Sequence, residues 1–116
     1  MKDVFLPYIR DIVDAMTKSQ SFIDGMDYSA FEQDDKTVYA VIRALEVIGE
    51  ASKGIPEAIR QQYPELSWRA MAGMRDKLIH AYDHVNLELV WETVSQQIPL
   101  ILPLVEKILQ DNLSES

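Results

Sequence analysis

Residues 38–51 read VYAVIRALEVIGEA, and the spacing of their apolar side chains decides the fold class. Side chains that recur at steps of three and four form one face of an α-helix directed at a core (Val38, Ile42, Leu45 and Ile48). Val41 and Val47 lie outside this stripe, so we expect the helix to be covered on more than one side. The stretch therefore predicts an α-helix packed inside a helical protein.

The same helical periodicity continues outward in both directions, and no alternating strand pattern interrupts it. The first predicted helix runs from a cap at Asp3 to about Ile23, and the second from a cap at Asp27 or Ser29 to about Lys53, where Gly54 ends it. A short third helix covers residues 56–64, and a fourth, capped by Ser67, covers residues 68–82. The fifth, capped by Asn86, covers residues 87–113 and is expected to kink at Pro99 and Pro103. The prediction is an all-α, up-and-down helical bundle of four main helices plus one short helix, in a single domain spanning residues 1–116.

Composition narrows the functional class. The 116 residues carry 11 lysines and arginines against 19 aspartates and glutamates, a net charge of −8, and no cysteine. Disulfides and thiolate metal sites are thereby excluded, and no stretch resembles a signal peptide or a bilayer span, so a cytoplasmic protein with no membrane partner is expected. The acidic balance argues against general nucleic-acid binding but leaves room for a local basic cleft.

A second stretch, GMRDKLIHAYDHVN at residues 73–86, carries both histidines of the chain. At about 100° per residue, Arg75 and Tyr82 are nearly in line, whereas Arg75 and His80 point roughly 140° apart. One straight helix therefore does not bring Arg75 and His80 together. Either the helix ends or bends near His80, or a second chain completes the site. The plain structural interpretation, a surface arginine and a histidine that suits a helix C-terminus, also stays open.

Polar residues on the central helix admit two interpretations. Tyr39, Arg43, Glu46 and Glu50 share one stripe, at steps of four, three and four. They form either a solvated face with helix-spaced ion pairs or the polar wall of a cleft.

The residue types in the second stretch suit metal-independent RNA cleavage. Such a reaction needs a base for the ribose 2′-hydroxyl, an acid for the leaving oxygen and a cation beside the phosphorane. Histidine titrates near neutral pH, and the planar fork of arginine fits a phosphate. The hydroxyl of Tyr82 can bind a phosphate or attack a nucleotide. Two histidines without closely spaced carboxylates make a poor zinc set, and there is no glycine-rich phosphate loop, so no metal or cofactor is expected.

RDKLIHAY at residues 75–82 resembles the signature of HEPN-domain proteins of the HepT-like toxin family. In that signature, four residues separate an arginine from a histidine, and one further residue separates the histidine from a tyrosine. The resemblance extends over most of residues 1–110, including VIRALEVIGEA and the approach to the motif through Trp68. It implies an α-helical homodimer whose two motifs line a shared cleft. It also implies a toxin that acts as a metal-independent endoribonuclease on RNA. The implied antitoxin is an MNT-type nucleotidyltransferase that silences the toxin by adenylylating the motif tyrosine.

Carried over by position, the resemblance assigns a role to each matching residue. Arg75 and His80 would be catalytic, Asp76 would support them, and Tyr82 would be the adenylylated residue. Three further residues would line the same region (Arg43, Glu46 and Glu50). The chain departs from the family pattern at Ala44, where a polar residue is expected. Two other hypotheses remain: a non-catalytic dimer that serves as binding partner and acceptor for a nucleotidyltransferase, and a plain structural bundle that dimerises.

Overall fold

The computed structural model describes residues 2–79 and 86–113, without the side chains at positions 2, 3 and 77–79. All regular structure within these ranges is helical, which confirms the all-α prediction. The elements are α1 (Lys2–Phe22), α2 (Tyr28–Gln33), α3 (Asp35–Lys53), α4 (Glu57–Gln62), α5 (Trp68–Ile79), α6 (Leu87–Glu92), a π-helical turn (Thr93–Gln97) and α7 (Ile98–Leu113). The predicted end of the fourth helix at Tyr82 lies outside the described residues. No helix in the described ranges is long and apolar enough to cross a membrane.

Helix α3 is the centre of the bundle and packs against both α1 and α5. Val41 and Ile48 are completely buried and, being seven residues apart, lie on the same face of the helix, so Val41 belongs to the core stripe, contrary to the prediction. Val47, which does lie off that stripe, is only partly buried. Helix α1 buries a stripe of side chains at steps of four, three and four (Phe5, Ile9, Ile12 and Met16), and it also packs against α7. Asp3 lies inside α1 rather than at its cap, because the helix already begins at Lys2.

The predicted second helix is wrong as one continuous segment, because Asp34 divides it. Asp27 caps α2 by accepting a hydrogen bond from the backbone N–H of Ala30 at 2.8 Å. Asp34 then caps α3 by accepting one from the N–H of Thr37 at 3.1 Å, with φ −105° and ψ 90° outside the helical region. A capping carboxylate favours a new helix start wherever its backbone can leave the helix, so two such residues produce two helices.

Two glycines in the predicted central segment allow close approaches of neighbouring groups. A Cβ built on Gly49 would lie 2.6 Å from Cβ and 2.7 Å from N of Arg75, so α3 and α5 touch through their backbones at this point. Gly54 is the C-cap of α3, as predicted, but its φ of −83° is one that any residue adopts. Its missing side chain instead makes room for the ring of Tyr8, which a Cβ would approach to 2.7 Å.

The C-terminal helix departs from α-helical geometry just ahead of Pro99. Asn86 caps it as predicted, accepting from the N–H of Leu89 at 3.1 Å. The N–H of Ile98 then donates to the carbonyl of Thr93, five residues back instead of four, and this bond is part of the π turn. In that register the next donor would be Pro99, which has no N–H. The side chain of Gln20 on α1 supplies the missing donor to the carbonyl of Val94 at 2.8 Å.

Candidate functional site

A cleft of about 340 Å³ opens where α1, α3 and α5 meet. Its volume lies at the lower end of the range of small-ligand sites, about 300–1,000 Å³. Its polar lining consists of one residue from α5 (Arg75), three from α3 (Arg43, Glu46 and Glu50) and two from α1 (Tyr8 and Asp11). Four of the residues that the sequence assigned to a site therefore share one cleft.

Arg75 reaches this cleft because α5 lies directly on α3. The contact at Gly49 fixes the backbone of Arg75 against the central helix. The guanidinium Nη1 then lies 3.3 Å from Oε2 of Glu50, and 39% of the Arg75 side chain remains exposed. An ion pair so open to solvent contributes little to stability, about 0–1 kcal/mol. Its main effect is to hold the guanidinium at the mouth of the cleft, where it stays available to an anion.

The stripe on α3 contributes to one wall of the cleft, as the cleft interpretation of that stripe expects. Nη1 of Arg43 lies 3.7 Å from Oε2 of Glu46, three residues further on, and 74% of the arginine side chain is exposed. Tyr39 begins the same stripe, but it is 76% exposed and does not line the cleft. The cleft therefore starts at the second member of the stripe.

The remaining predicted site residues lie elsewhere or outside the described part of the chain. Oδ1 of Asp76 lies 3.8 Å from Nζ of Lys53, and Asp76 does not line the cleft. His80 and Tyr82 fall within residues 80–85, outside the described ranges, as does His84. The described residues thus place the arginine half of the motif in the cleft.

Ala44, the departure from the family pattern, is buried and faces a neighbouring groove. That groove, of about 310 Å³, runs between α1 and α3 and shares Arg43 and Val47 with the cleft. Ala44 itself does not line the cleft that holds Arg75. A polar side chain at this position would therefore meet the groove between α1 and α3, where Ala15 and Ala40 also lie.

The charge of the cleft does not favour an anion by itself. Three carboxylates (Asp11, Glu46 and Glu50) stand against two guanidinium groups. Among the residues that the structure describes, no three histidine, aspartate or glutamate side chains are grouped so that they could hold a metal ion. Within the described ranges, the cations that a phosphate would meet in this cleft are therefore Arg43 and Arg75.

Sequence reasoning missed Tyr8 and Asp11, the contribution of α1. Both lie off the buried stripe of the first helix, beside Ile9 and Ile12, which are completely buried. Tyr8 is 40% exposed, a large aromatic ring left partly in solvent in the second turn of the helix. An aromatic residue on the polar side of an amphipathic helix was the available signal, but which neighbour it faces depends on how α1 packs against α3.

Comparison with known proteins identifies the family of the chain. The sequence model of the family described as "Ribonuclease HepT-like" matches residues 12–108. A protein of Thermococcus cleftensis named "Probable ribonuclease HepT" is 45% identical over 108 residues, which cover 93% of this chain and 98% of the relative. A protein of Methanocaldococcus jannaschii whose name describes it as an RNase is 47% identical over 104 residues, 90% of each chain.

A further relative, from Caldanaerobacter subterraneus and also named as an RNase, is 38% identical over 104 residues, 90% of this chain and 93% of its own length. No solved structure matches the chain significantly. The family match spans most of the chain and includes both α3 and Arg75. It confirms the predicted family and, with it, the ribonuclease class of enzyme. The chain belongs to the HepT-like family of ribonucleases.

Proposed function

We propose that this protein is a metal-independent endoribonuclease and the toxin of a HEPN/MNT toxin–antitoxin pair. The observation that carries the proposal is the position of Arg75 in a cleft of a HepT-like chain, fixed from behind by Gly49 and left partly exposed in front. A guanidinium held in this way is preorganised for a phosphate oxygen. Arg43 adds a second cation to the same cleft.

The proposed chemistry divides between the two halves of the motif. Arg75 binds the scissile phosphate and stabilises the negative charge that develops on the phosphorane. His80, five residues further on, exchanges a proton with the ribose 2′-hydroxyl or with the leaving 5′-oxygen. The 2′-oxygen attacks the phosphorus and the bond to the 5′-oxygen breaks. No metal ion enters the reaction.

A homodimer gives this site its second half. On one ideal helix Arg75 and His80 point roughly 140° apart, so one protomer does not aim both at the same phosphate. A symmetric dimer that joins two such clefts brings two copies of each motif residue around one RNA strand.

Adenylylation of Tyr82 by an MNT-type nucleotidyltransferase is the proposed switch. The tyrosine oxygen attacks the α-phosphate of ATP, and pyrophosphate leaves. The attached phosphodiester adds a negative charge seven residues beyond Arg75, and this charge competes with RNA for the guanidinium. Asp76 is assigned the supporting role of holding the helix through Lys53, with which it forms an exposed ion pair.

The test is RNA cleavage by the purified protein in the presence of EDTA. The wild-type chain is expected to cleave RNA, and both Arg75→Ala and His80→Ala are expected to abolish cleavage. Arg69→Ala is the matched control, because Arg69 is an exposed arginine on the same helix that does not line the cleft. Cleavage that persists in His80→Ala would overturn the assigned role of His80.

The excess of carboxylates in the cleft favours one alternative, a non-catalytic dimer that serves as acceptor for the nucleotidyltransferase. Incubation with an MNT-type nucleotidyltransferase and ATP, followed by intact-mass measurement, addresses the acceptor role. An added adenylate that disappears in Tyr82→Phe, from a protein without RNA cleavage, would favour this alternative. The absence of any adenylate on the wild-type chain would remove the acceptor role from both proposals.

A further inference from the structure

Tyr8 is an aromatic residue outside the motif at residues 75–82, and the proposed chemistry gives it no role. It stands on α1, opposite the wall that carries Arg43 and Glu50, and it lines the same cleft as Arg75. It also lies before residue 12, where the family match begins. A single exposed tyrosine is ordinary on a protein surface. What distinguishes Tyr8, which keeps 40% of its surface exposed, is that it lies beside two arginines in a cleft and that Gly54 makes room for its ring.

The contact with Gly54 defines which side of the ring is covered. A Cβ on Gly54 would lie 2.7 Å from Cε2, 2.8 Å from Cδ2 and 2.8 Å from Cζ of Tyr8. Three adjacent ring carbons at nearly equal distances indicate an approach over the face of the ring. An approach within the ring plane would leave two of these carbons clearly farther away than the first. One face of the ring therefore rests on the glycine.

A ring supported in this way offers its second face as a flat surface. The exposed fraction of Tyr8 and its place in the lining of the cleft assign that surface to the cleft. Any residue larger than glycine at position 54 would push the ring away, so the support depends on the absence of a side chain there. Rigid aromatic faces next to guanidinium groups are the surfaces on which proteins stack unpaired nucleobases.

We propose that Tyr8 is a base-stacking residue for the RNA substrate, holding the nucleobase next to the phosphate that Arg75 binds. The inference rests on the proposed ribonuclease function and adds a substrate class to it. A base that lies on Tyr8 must be unpaired, so the substrate is single-stranded RNA or an RNA loop. Because every base has a flat face, the contact selects for an unpaired base rather than for one sequence.

Binding is measured with a fluorescein-labelled single-stranded RNA of about 12 nucleotides, a length within the range that single-strand sites cover. The full-length protein carries His80→Ala in every case, so that the RNA stays intact. The series compares Tyr8→Phe, Tyr8→Trp and Tyr8→Leu with Tyr39→Leu. Tyr39 is the matched control because it is more exposed than Tyr8 and lies outside the cleft.

Stacking predicts a definite order of affinities. Tyr8→Phe and Tyr8→Trp bind about as well as tyrosine, and Tyr8→Leu binds about 5- to 100-fold more weakly, the range for loss of one stacked base. Tyr39→Leu binds normally. A second set of RNAs, each lacking the base at one position, identifies the stacked base. When the stacked base is the missing one, the protein with Tyr8 and the Tyr8→Leu variant bind that RNA equally weakly.

The outcomes separate this inference from the function on which it rests. If the active wild-type protein cleaves RNA and Tyr8→Leu binds it normally, base stacking is refuted and the ribonuclease remains. If Tyr8→Leu weakens binding by the same factor for every abasic RNA, Tyr8 has a structural role and the inference is refuted. If the wild-type protein neither cleaves nor binds single-stranded RNA, the proposed function fails first and the inference fails with it.

Discussion

Gly49 on α3 and Gly73 on α5 lie on helices that pack against each other, but only Gly49 has a close neighbour. Alanine is the better helix former by about 1 kcal/mol in either position. At Gly49 the added methyl would lie 2.6 Å from Cβ and 2.7 Å from N of Arg75, whereas at Gly73 nothing lies within 4 Å. We expect Gly49→Ala to lower the free energy of unfolding by up to about 2 kcal/mol, since overpacking costs about 1–3 kcal/mol and the gain in helix propensity offsets about 1 kcal/mol of that cost. Gly73→Ala is expected to raise it by about 0.5–1 kcal/mol.

Urea denaturation of the two variants beside the wild-type chain measures both effects. The pair isolates the contact between α3 and α5, because the same methyl group is added in both cases. A Gly49→Ala protein as stable as Gly73→Ala would show that α3 and α5 do not approach as closely as the structure has them.

The candidate site divides into a part that local spacing predicts and a part that it does not. Arg43, Glu46 and Glu50 could be grouped from sequence because the helical period places them on one side of a single helix. Tyr8 and Asp11 could not, because their place depends on the packing of α1 against α3. The position of Arg75 depends on the same kind of information, since Gly49 reads as an ordinary helix residue until α5 is seen against it.

Helix α3 begins at a carboxylate whose ionisation supports the helix. The hydrogen bond from the backbone N–H of Thr37 is the main cause that lowers the pKa of Asp34 below its ordinary value of 3.8. A pKa that is lower in the folded chain than in the unfolded chain stabilises the fold above the unfolded value, and this contribution is lost as the pH falls through the folded value. The stability advantage of wild type over Asp34→Asn is therefore expected at pH 5 and above and to vanish as the pH falls below about 3.8.

Urea midpoints of both proteins at intervals between neutral pH and about pH 2.5 follow this change. Asp24→Asn serves as the control, because it removes a carboxylate from the exposed turn after α1 and from no helix start. A constant difference between wild type and Asp34→Asn over the whole pH range would contradict the capping interaction.

The π turn before α7 depends on one hydrogen bond from α1. Without Gln20, the carbonyl of Val94 has no replacement for the donor that Pro99 lacks. An unsatisfied buried carbonyl costs about 1–3 kcal/mol, so Gln20→Leu is expected to lower the free energy of unfolding by about that amount. Pro99→Ala restores a backbone N–H at the right position, and in that background Gln20→Leu is expected to cost clearly less.

A double-mutant cycle of thermal or urea unfolding gives the coupling between Gln20 and Pro99 directly. Equal costs of Gln20→Leu in both backgrounds would mean that the glutamine does not compensate for the proline.

Helix boundaries were predictable where a capping side chain marks them, and less so where backbone geometry decides. Asp27, Ser67 and Asn86 cap the helices for which the sequence proposed them. Asp34 was missed because it stands in the polar run EQDDK at residues 32–36, where a capping carboxylate looks like any other surface residue. The π turn has no residue signature of its own, and only the prolines that follow it indicated that the helix would be irregular there.

The proposed dimer makes a prediction about mixed assemblies. If one cleft takes Arg75 from one protomer and His80 from its partner, a heterodimer of Arg75→Ala and His80→Ala chains keeps one complete site of two. Random mixing of the two inactive chains, with half of all dimers mixed, is then expected to recover about a quarter of wild-type cleavage. RNA cleavage by the unfolded and refolded mixture measures it.

Each inactive variant refolded alone is the control and is expected to stay inactive. Absence of any recovery, from a mixture shown to contain heterodimers, would mean that Arg75 and His80 of one protomer serve the same site. The geometry within one protomer, and not the partner, would then bring Arg75 and His80 to the same phosphate.

The bond between Gln20 and Val94 also has a consequence for the order in which the chain is made. Gln20 leaves the ribosome early, with α1, while its acceptor follows more than seventy residues later, after the motif. A chain cut short before residue 94 can display the complete motif but not this link between α1 and the π turn. The last contacts to form are thus supplied by the end of the chain. Incomplete synthesis therefore yields a protein whose first helix is not yet joined to the segment that closes the bundle.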